Sequence, residues 1–263
     1  MSLNFATLSK RSNAMLETAG HAILIIYESF LFLRSVWARR KEIVYQTYIC
    51  LVGGFPVTML VAVFVGMVMT FQIGVFLLRF GQESSIGSLV AVSMCRELGP
   101  VWTGVILAGL LGSKMAAEIG TMSVSEEIEA LQVMAINPIR FLVMPRFIAL
   151  CLVCPLLTAY ADLVGIASGM VISAQILHVD YSAFMSNARE FLEFKDFWSG
   201  LIKSMVFAIT IAAVGCSQGL RAEKGAEGVG IATMKTVVIC CVMILLTDYV
   251  MGWFLMNFLG VGA

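Results

Sequence analysis

Charged side chains are scarce in this sequence. They make up 13% of its 263 residues, whereas hydrophobic residues make up 60% and the mean hydropathy is +0.93. A soluble domain carries about 25% charged and about 45–50% apolar residues, so a chain of this length could not hide so much apolar surface from water. The formal net charge is zero, which removes the long-range attraction to nucleic acid. The sequence therefore predicts a protein whose solvent is lipid.

Side chains that carry catalytic or metal chemistry are also few. His21 and His178 lie far apart, and the sequence contains no metal cluster and no nucleophile elbow. The stretch from Gly109 to Lys114 has the wrong spacing for a phosphate loop and ends an apolar helix. The seven cysteines all fall in apolar segments, where Cys behaves as a small apolar residue. We therefore expect no catalytic residue, no metal and no cofactor, with any ATP bound by a partner subunit.

Long apolar runs are what the sequence does contain. Backbone in hydrocarbon must pair its polar groups internally, and these runs do not alternate with period two, so they predict helices and not a barrel. A helix needs about 20 apolar residues to cross a bilayer. Between Glu42 and Arg79 we expect a short re-entrant piece, broken at Gly53, Gly54 and Pro56, and then a full span. Four further spans are expected at about 87–113, 147–177, 199–220 and 236–259.

The basic residues outside these spans are unevenly distributed. With the N-terminus inside, twelve fall in inner segments, and only Arg79, Arg189 and Lys195 fall in outer ones. Cytoplasmic segments of membrane proteins carry the excess of Lys and Arg. We therefore expect a cytoplasmic N-terminus and, after five spans, a C-terminus on the outer side of the membrane.

The segment 13–37 has apolar positions at three- and four-residue steps and ends near the basic cluster 39–41. This pattern is typical of an amphipathic helix lying in the cytoplasmic interface. A sixth span is the alternative, although it would place Glu28 and Arg34 in hydrocarbon. The expected organisation is an N-terminal interfacial region at 1–42 followed by a transmembrane permease domain at 43–263.

Two charged residues, Arg96 and Glu97, fall inside the second predicted span. A charge within a span is costly and usually faces a bundle interior or a wet cavity. The pair either forms a salt bridge that pins helices together or lines a cavity for a substrate headgroup. For Asp162 and Asp248, which stand alone in later spans, the sequence favours a structural role. Further along the second span, a stripe of small residues allows a neighbouring helix to approach closely: Gly104, Ala108 and Gly112.

The cytoplasmic loop after this span has helix signals of its own. Ser123 and Glu126 fit a capping box, and Asn137-Pro138 is a stop signal, which together predict a helix within about 119–136. One face of this helix carries an apolar stripe of Ile128, Leu131 and Met134. A short helix with such a stripe indicates a docking element for a partner. The alternative is a loop that packs back on its own bundle.

Several short motifs in this region resemble the signature of the MlaE/YrbE permease family. They are RELGP at 96–100, AAEIGTM at 116–122, EEIEAL at 126–131, NPIR at 137–140 and PR at 145–146, and GIATMKTVV at 230–238 is similar to the family's entry into its last helix. The motif block covers about 50 residues, and the five-span layout extends the similarity to nearly the whole chain. One departure is Leu110, which stands where the family commonly has Arg; Lys114 follows four residues later.

The resemblance implies a permease subunit of an ABC transporter that moves phospholipid or a related lipid between a bacterial inner membrane and a periplasmic MCE-domain protein. It implies a homodimer with a lipid cavity at the dimer interface, driven by a cytoplasmic ABC ATPase. Arg96, Glu97 and the adjoining Leu98 would contact the lipid. The residues expected at the ATPase contact are Glu118, Glu126, Glu127, Ile128, Leu131 and Met134.

Two other classes of function remain open from the residues alone. One is a small-solute carrier or channel that works without ATP, although such proteins usually show several intramembrane charges or paired broken helices. The other is a membrane scaffold, for which the loop helix would suffice and Arg96 and Glu97 would have no purpose.

Overall fold

The computed structural model describes residues 20–21, 23–29, 31, 37, 39–223 and 225–259. This part of the chain contains five helices long and apolar enough to cross a membrane, which confirms the predicted all-α integral membrane fold. They are the first span Arg40–Leu78, the second Glu83–Val124, the third Ile139–Ile176, the fourth Phe194–Leu220 and the fifth Ala226–Asn257, whose helix continues to Leu259. Two shorter helices lie between them: the loop helix Glu127–Val133 and the connecting helix Tyr181–Phe191.

The chain packs as two units, each made of three stretches. The loop unit comprises Met1–Tyr48, Ala108–Leu150 and Ile209–Cys240, and its core cluster contains Ile25, Ile119, Ile128, Leu142, Val143 and Cys216. The charge unit, which carries Arg96 and Glu97, comprises Ile49–Leu107, Cys151–Ala208 and Cys241–Ala263. Its core cluster contains Leu77, Ile86, Val90, Met94, Leu177, Val179 and Phe184. Each unit therefore has an apolar core assembled from segments far apart in sequence.

The predicted interfacial helix at 13–37, within the N-terminal region 1–42, falls largely outside the described residues and stays a prediction. Residues 23–29 are helical, with Ile25 buried in the core of the loop unit and Tyr27 exposed. One side of this short stretch therefore packs within the chain.

The first span is one unbroken helix of 39 residues, so the predicted break at Gly53, Gly54 and Pro56 is wrong. At about 1.5 Å rise per residue the helix is about 60 Å long. Pro56 has no N–H to donate to the Val52 carbonyl, yet the helix continues through it, as membrane helices can where the surroundings compensate for the lost bond. Because lipid offers no partner to exposed backbone, continuing the helix through Pro56 is less costly than breaking it.

The second and third spans contain turns of π-helix. Two such turns, Met94–Leu98 and Ala108–Gly112, interrupt the second span, and Ile139–Val143 opens the third. A π turn inserts an extra residue into the α-helical ladder and often occurs at functional sites. The turn Met94–Leu98 carries both Arg96 and Glu97, so the charged pair lies where the helix is locally widened.

The loop helix begins later than the capping-box pattern predicts. Ser123 lies inside the helix Ser113–Val124, and the loop helix starts after Glu126, which has a left-handed backbone with φ of 61° and makes no side-chain cap. The prediction of a Ser123–Glu126 capping box is therefore wrong. The physical reason is that the second span continues past the apolar run to Val124, so the new helix starts after the left-handed residue Glu126 and not at Ser123.

The end of the loop helix also differs from the prediction. Val133 is its last residue, and Ala135 has a left-handed φ of 58° while the Ile136 N–H donates to the Leu131 carbonyl at 2.9 Å. This is the Schellman pattern of helix termination. Asn137 instead begins the next segment, because its Oδ1 accepts from the Ile139 N–H at 2.9 Å. Asn followed by Pro is a favoured helix start, so the Asn137-Pro138 signal marks a beginning and not a stop.

The connecting helix Tyr181–Phe191 was not expected from the sequence. Asp180 caps its N-terminus by accepting from the Ser182 backbone N–H at 3.3 Å. The hydrogen bond from the Ser182 hydroxyl also lowers the pKa of the Asp180 carboxyl below its ordinary value. Phe184 and Ala188 are buried, and a Cβ on Gly87 would overlap the Phe184 carbonyl. The helix thus packs tightly against the start of the second span.

Close contact between the first and third spans generates a stability prediction. A Cβ on Gly66 would overlap the carbonyl oxygen of Gly165, whereas a Cβ on Gly53, in the same helix, meets no atom within 4 Å. We expect Gly66→Ala to destabilise the protein by about 1–3 kcal/mol, because backbone must move apart. Thermal unfolding of the purified protein in detergent should show a lowered midpoint temperature for Gly66→Ala and an unchanged midpoint temperature for Gly53→Ala. Equal midpoints for the two variants would contradict this packing.

Candidate functional site

Charged side chains from three spans of the charge unit meet in one place. The second span contributes Arg96 and Glu97 from its π turn, the fourth contributes Asp196 and Lys203, and the fifth contributes Asp248. Asp196 and Lys203 are seven residues apart in one helix, which places them on the same face two turns apart. Five charged groups are thereby concentrated inside a region of otherwise apolar helices.

Arg96 pairs with Asp196. The Arg96 Nε donates to Asp196 Oδ1 at 2.7 Å, and the Asp196 side chain is 1% exposed while that of Arg96 is 30% exposed. The other oxygen of Asp196 accepts from the Glu193 backbone N–H at 3.1 Å. Asp196 is therefore fixed at the start of the fourth span, and it orients the guanidinium from behind.

Lys203 lies between two carboxylates. Its Nζ is 2.7 Å from Glu97 Oε2 and 3.0 Å from Asp248 Oδ1, and its side chain is 2% exposed. A buried ammonium is stable in a medium of low dielectric only where it is paired. Glu97 is 52% exposed and Asp248 19% exposed, so the two carboxylates separate the ammonium from the surface.

Two glycines allow this arrangement. A Cβ on Gly200 of the fourth span would overlap the Cys95 carbonyl, so its absence brings that helix against the backbone of the π turn. In the fifth span, a Cβ on Gly252 would lie 3.6 Å from Lys203 Nζ and 3.8 Å from Glu97 Oε1. The first glycine sets the helix separation that the Arg96–Asp196 and Glu97–Lys203 pairs need, and the second leaves open space beside the charges.

That open space is a cavity of about 550 Å³. Such a volume is within the range of roughly 300–1,000 Å³ that is usual for small-molecule sites. Four charged side chains, Ser199 and Gly252 form one part of its wall, and the remaining wall is apolar or aromatic: Tyr249, Trp253, Leu255 and Met256. Tyr249, Trp253 and Met256 are exposed, so the cavity opens to the surface of the chain. A polar wall beside an apolar one suits an amphiphilic ligand.

The structure separates the three residues expected to contact lipid. Arg96 and Glu97 both line the cavity, and both also form ion pairs to the fourth span. The salt-bridge interpretation is therefore confirmed, and contact with a substrate headgroup stays a prediction. Leu98 does not line this cavity; it packs against the core cluster that contains Met94. The π turn directs neighbouring side chains to opposite sides.

Asp196 and Lys203 were missed by the sequence reasoning. Lys203 lies well inside the fourth span, and the rule that a charge within a span marks a site would have identified it. The expectation that Asp248 stands alone is wrong, because it pairs with Lys203. Asp162 is 1% exposed, and neither carboxyl oxygen has a hydrogen-bond partner among the described residues. It lies against Gly99, where a Cβ would overlap its carboxyl group, and it does not line the cavity.

The small-residue stripe is buried at all three positions, Gly104, Ala108 and Gly112. A Cβ on Gly104 would lie 3.1 Å from the Phe207 ring. Within the loop unit, a Cβ on Gly215 of the fourth span would lie 3.0 Å from the Gly112 carbonyl. Each end of the stripe therefore faces the fourth span at close distance.

The residues expected at an ATPase contact fall into two groups. Ile128 is buried and Leu131 packs with it on the core of the loop unit, so most of the apolar stripe is used within the chain. Glu126, Glu127 and Met134 are exposed, and the apolar side chain of Val133, the last residue of the loop helix, is 88% exposed.

Glu118 belongs to neither group, because it lies at the base of the loop. Its Oε2 is 3.0 Å from Arg146, a nearly buried side chain that also donates to the Leu142 carbonyl at 2.9 Å. The Lys114 Nζ lies 4.0 Å from the other Glu118 oxygen. Leu110, which stands where the family commonly has Arg, is partly exposed. Lys114 is thus part of an ionic cluster that holds the two ends of the loop together.

The Lys203 cluster generates a prediction about stability. Removing Lys203 leaves two carboxylates facing each other, so Lys203→Met should destabilise the protein and Glu97→Gln should restore part of the loss. A double-mutant cycle on unfolding in detergent should give a coupling of about 0.5–3 kcal/mol between the two positions. The exposed pair Lys195–Glu193, at 3.8 Å, is the matched control and should show no measurable coupling. Additive effects of Lys203→Met and Glu97→Gln would contradict the buried ion pair.

Comparison with known proteins identifies the family of this chain. The sequence model of the Permease MlaE family matches residues 43–254. A probable ABC transporter permease protein of Synechocystis is 36% identical over 232 residues, which are 88% of each chain. The chloroplastic TRIGALACTOSYLDIACYLGLYCEROL 1 protein of Arabidopsis thaliana is 40% identical over 198 residues, 75% of this chain and 57% of that protein. A probable permease of Pyropia yezoensis is 34% identical over 90% of both chains. The chain belongs to the MlaE permease family.

Proposed function

We propose that this permease is the membrane subunit of an ABC transporter that moves phospholipid or a related lipid. The observation that carries the proposal is the cavity of about 550 Å³, which has ion-paired side chains on one wall and apolar side chains on the other. A phospholipid has the same division, because its headgroup is charged and its chains are apolar. Relatives described as probable ABC transporter permeases support the transporter class.

The exposed side of the cavity also supports the proposal that the chain forms a homodimer. On a single chain its aromatic side, with Tyr249 and Trp253, is exposed. A second copy of the chain would close this side and enclose the lipid between two charged walls. The chain would lie in the bacterial inner membrane with its N-terminus cytoplasmic, and an MCE-domain protein would exchange lipid with it on the periplasmic side.

The exposed features of the loop helix support the proposal that a partner ATPase binds there. Buried Ile128 and Leu131 fix it to the loop unit, and the turns at Glu126 and Ala135 hold its two ends. What remains exposed is an apolar tip of Val133 and Met134 at the C-terminal end of the helix and the acidic Glu126 and Glu127 at its start. A helix fixed on one side and apolar at its tip is suited to transmit a displacement from a nucleotide-driven subunit, which this chain requires if it uses ATP.

Filling the cavity should reduce lipid transfer. Gly252→Leu adds an apolar side chain beside Lys203 and Glu97 without a backbone collision. We expect transfer from proteoliposomes by the assembled complex to fall roughly tenfold, because a lipid would overpack the filled cavity by about 1–3 kcal/mol.

The matched control is Gly230→Leu in the same helix, where a Cβ meets no atom within 4 Å. It should transfer lipid at the parent rate. Lipid transfer by Gly252→Leu at the parent rate, in a complex of normal composition, would exclude this cavity from the transport route.

Changing the tip of the loop helix should weaken ATPase binding. Met134→Asp places a charge on an exposed apolar contact, and we expect roughly tenfold less ATPase in pull-downs, as for a loss of about 1.4 kcal/mol at an interface. Phe191→Asp, a similar change at an exposed position of the connecting helix, should recover the ATPase undiminished. Equal recovery by both variants would exclude Met134 from the docking surface.

A further inference from the structure

We propose that the cavity prefers a phospholipid whose headgroup is zwitterionic, with an ammonium group beside its phosphate, over one with a net negative charge. This inference rests on the proposed function, because it names the class of lipid that the same site would take. The preference follows from the difference between the charged side chains that are exposed to the cavity and those that are buried in ion pairs.

The ion-paired groups do not provide an excess of positive charge. Two basic side chains, Arg96 and Lys203, face three acidic ones, Glu97, Asp196 and Asp248, which leaves one formal negative charge. In a site of low effective dielectric such a charge acts strongly on a ligand. A headgroup with a net negative charge would therefore meet repulsion that no unpaired cation among the described residues of the cavity wall offsets.

The buried members of the cluster are already paired. Lys203 is held between two carboxylates, and Asp196 is held by Arg96 and the Glu193 backbone N–H. Neither can turn to a ligand without leaving a partner unpaired in a buried position, which is costly. The ligand therefore meets mainly the two partly exposed charges, Arg96 and Glu97.

These two charges have opposite sign and are adjacent in the chain. The Arg96 guanidinium binds Asp196 through Nε, and its remaining donors form the planar fork that suits a phosphate. The Glu97 carboxylate, half-exposed, is an acceptor for an ammonium. A zwitterionic headgroup would thus place its phosphate at Arg96 and its ammonium at Glu97, so that each charge of the headgroup meets one of opposite sign.

The aromatic side of the cavity adds to this preference. Tyr249 and Trp253 line it and have large exposed surfaces. Aromatic faces attract ammonium groups, including quaternary ones, and gain nothing from an anionic glycerol headgroup. The ammonium would thus be bound by Glu97 on one side and by an aromatic ring on the other.

The test is a lipid competition on the full-length chain purified with its native partners. The complex is equilibrated in mixed micelles with equal amounts of phosphatidylethanolamine and phosphatidylglycerol that have the same acyl chains, and retained lipid is quantified by mass spectrometry. Cavity-bound lipid is the amount that the parent retains and Gly252→Leu loses. We expect cavity-bound phosphatidylethanolamine to exceed phosphatidylglycerol by roughly threefold to fivefold, the range of a partly exposed ion pair.

Glu97→Gln, which keeps the size of the side chain, should bring this ratio close to one. Glu97→Asp should keep the preference, and Glu190→Gln, at an exposed position on the connecting helix, should leave it unchanged. A parent ratio near one, or in favour of phosphatidylglycerol, overturns the headgroup preference and leaves the cavity as a lipid site. If the parent and Gly252→Leu retain equal lipid, the cavity binds none, and both the proposed function and this inference fail.

Discussion

The site depends on the Lys203 ammonium, which is buried among apolar helices and held between Glu97 and Asp248. A charge in such surroundings is unstable unless its partners are fixed at close distance. Those partners come from the second and fifth spans, so the ion pairs determine how three helices of the charge unit meet. Gly200 and Gly252 are consequences of the same constraint, since a side chain at the first would push the fourth span away from the π turn and one at the second would fill the space beside the charges.

The same constraint explains why a cavity exists there. Lys203 and Asp196 are buried and ion-paired, whereas Arg96 and Glu97 remain partly exposed. The fifth span adds aromatic side chains around these two residues. The wall therefore presents a fixed pair of opposite charges and not a mobile set that could pair internally. A fixed pair can discriminate between headgroups, because each charge is already oriented before a lipid enters.

Much of the fold could be predicted because the length and apolar composition of each run determine whether it can cross a membrane. Long apolar runs identify five spans, and small residues such as Gly104 identify a close helix contact. The break at Pro56 was wrongly predicted because a local propensity was weighed without the cost of unpaired backbone in lipid. The loop helix was misplaced for a related reason: the second span continues to Val124, so Ser123 cannot begin a new helix.

The partners in the site could be predicted only in part. Arg96 and Glu97 stand out as charges in an apolar run, and by the same rule Lys203 should have done so. That Arg96 meets Asp196, and Glu97 meets Lys203, depends on contacts between residues about a hundred positions apart. That register also requires the close packing at Gly200 and the widened turn Met94–Leu98, and neither has a recognisable signal in one sequence.

The most direct measurement is a cryo-electron microscopy structure of the complex, purified with its partners, in a phospholipid nanodisc. A lipid in the cavity should place its phosphate within hydrogen-bonding distance of the Arg96 guanidinium, with its acyl chains along Leu255 and Met256. A well-resolved cavity that contains only water, or one in which the lipid headgroup lies away from Arg96 and Glu97, would contradict the claim that this charge cluster binds the lipid headgroup.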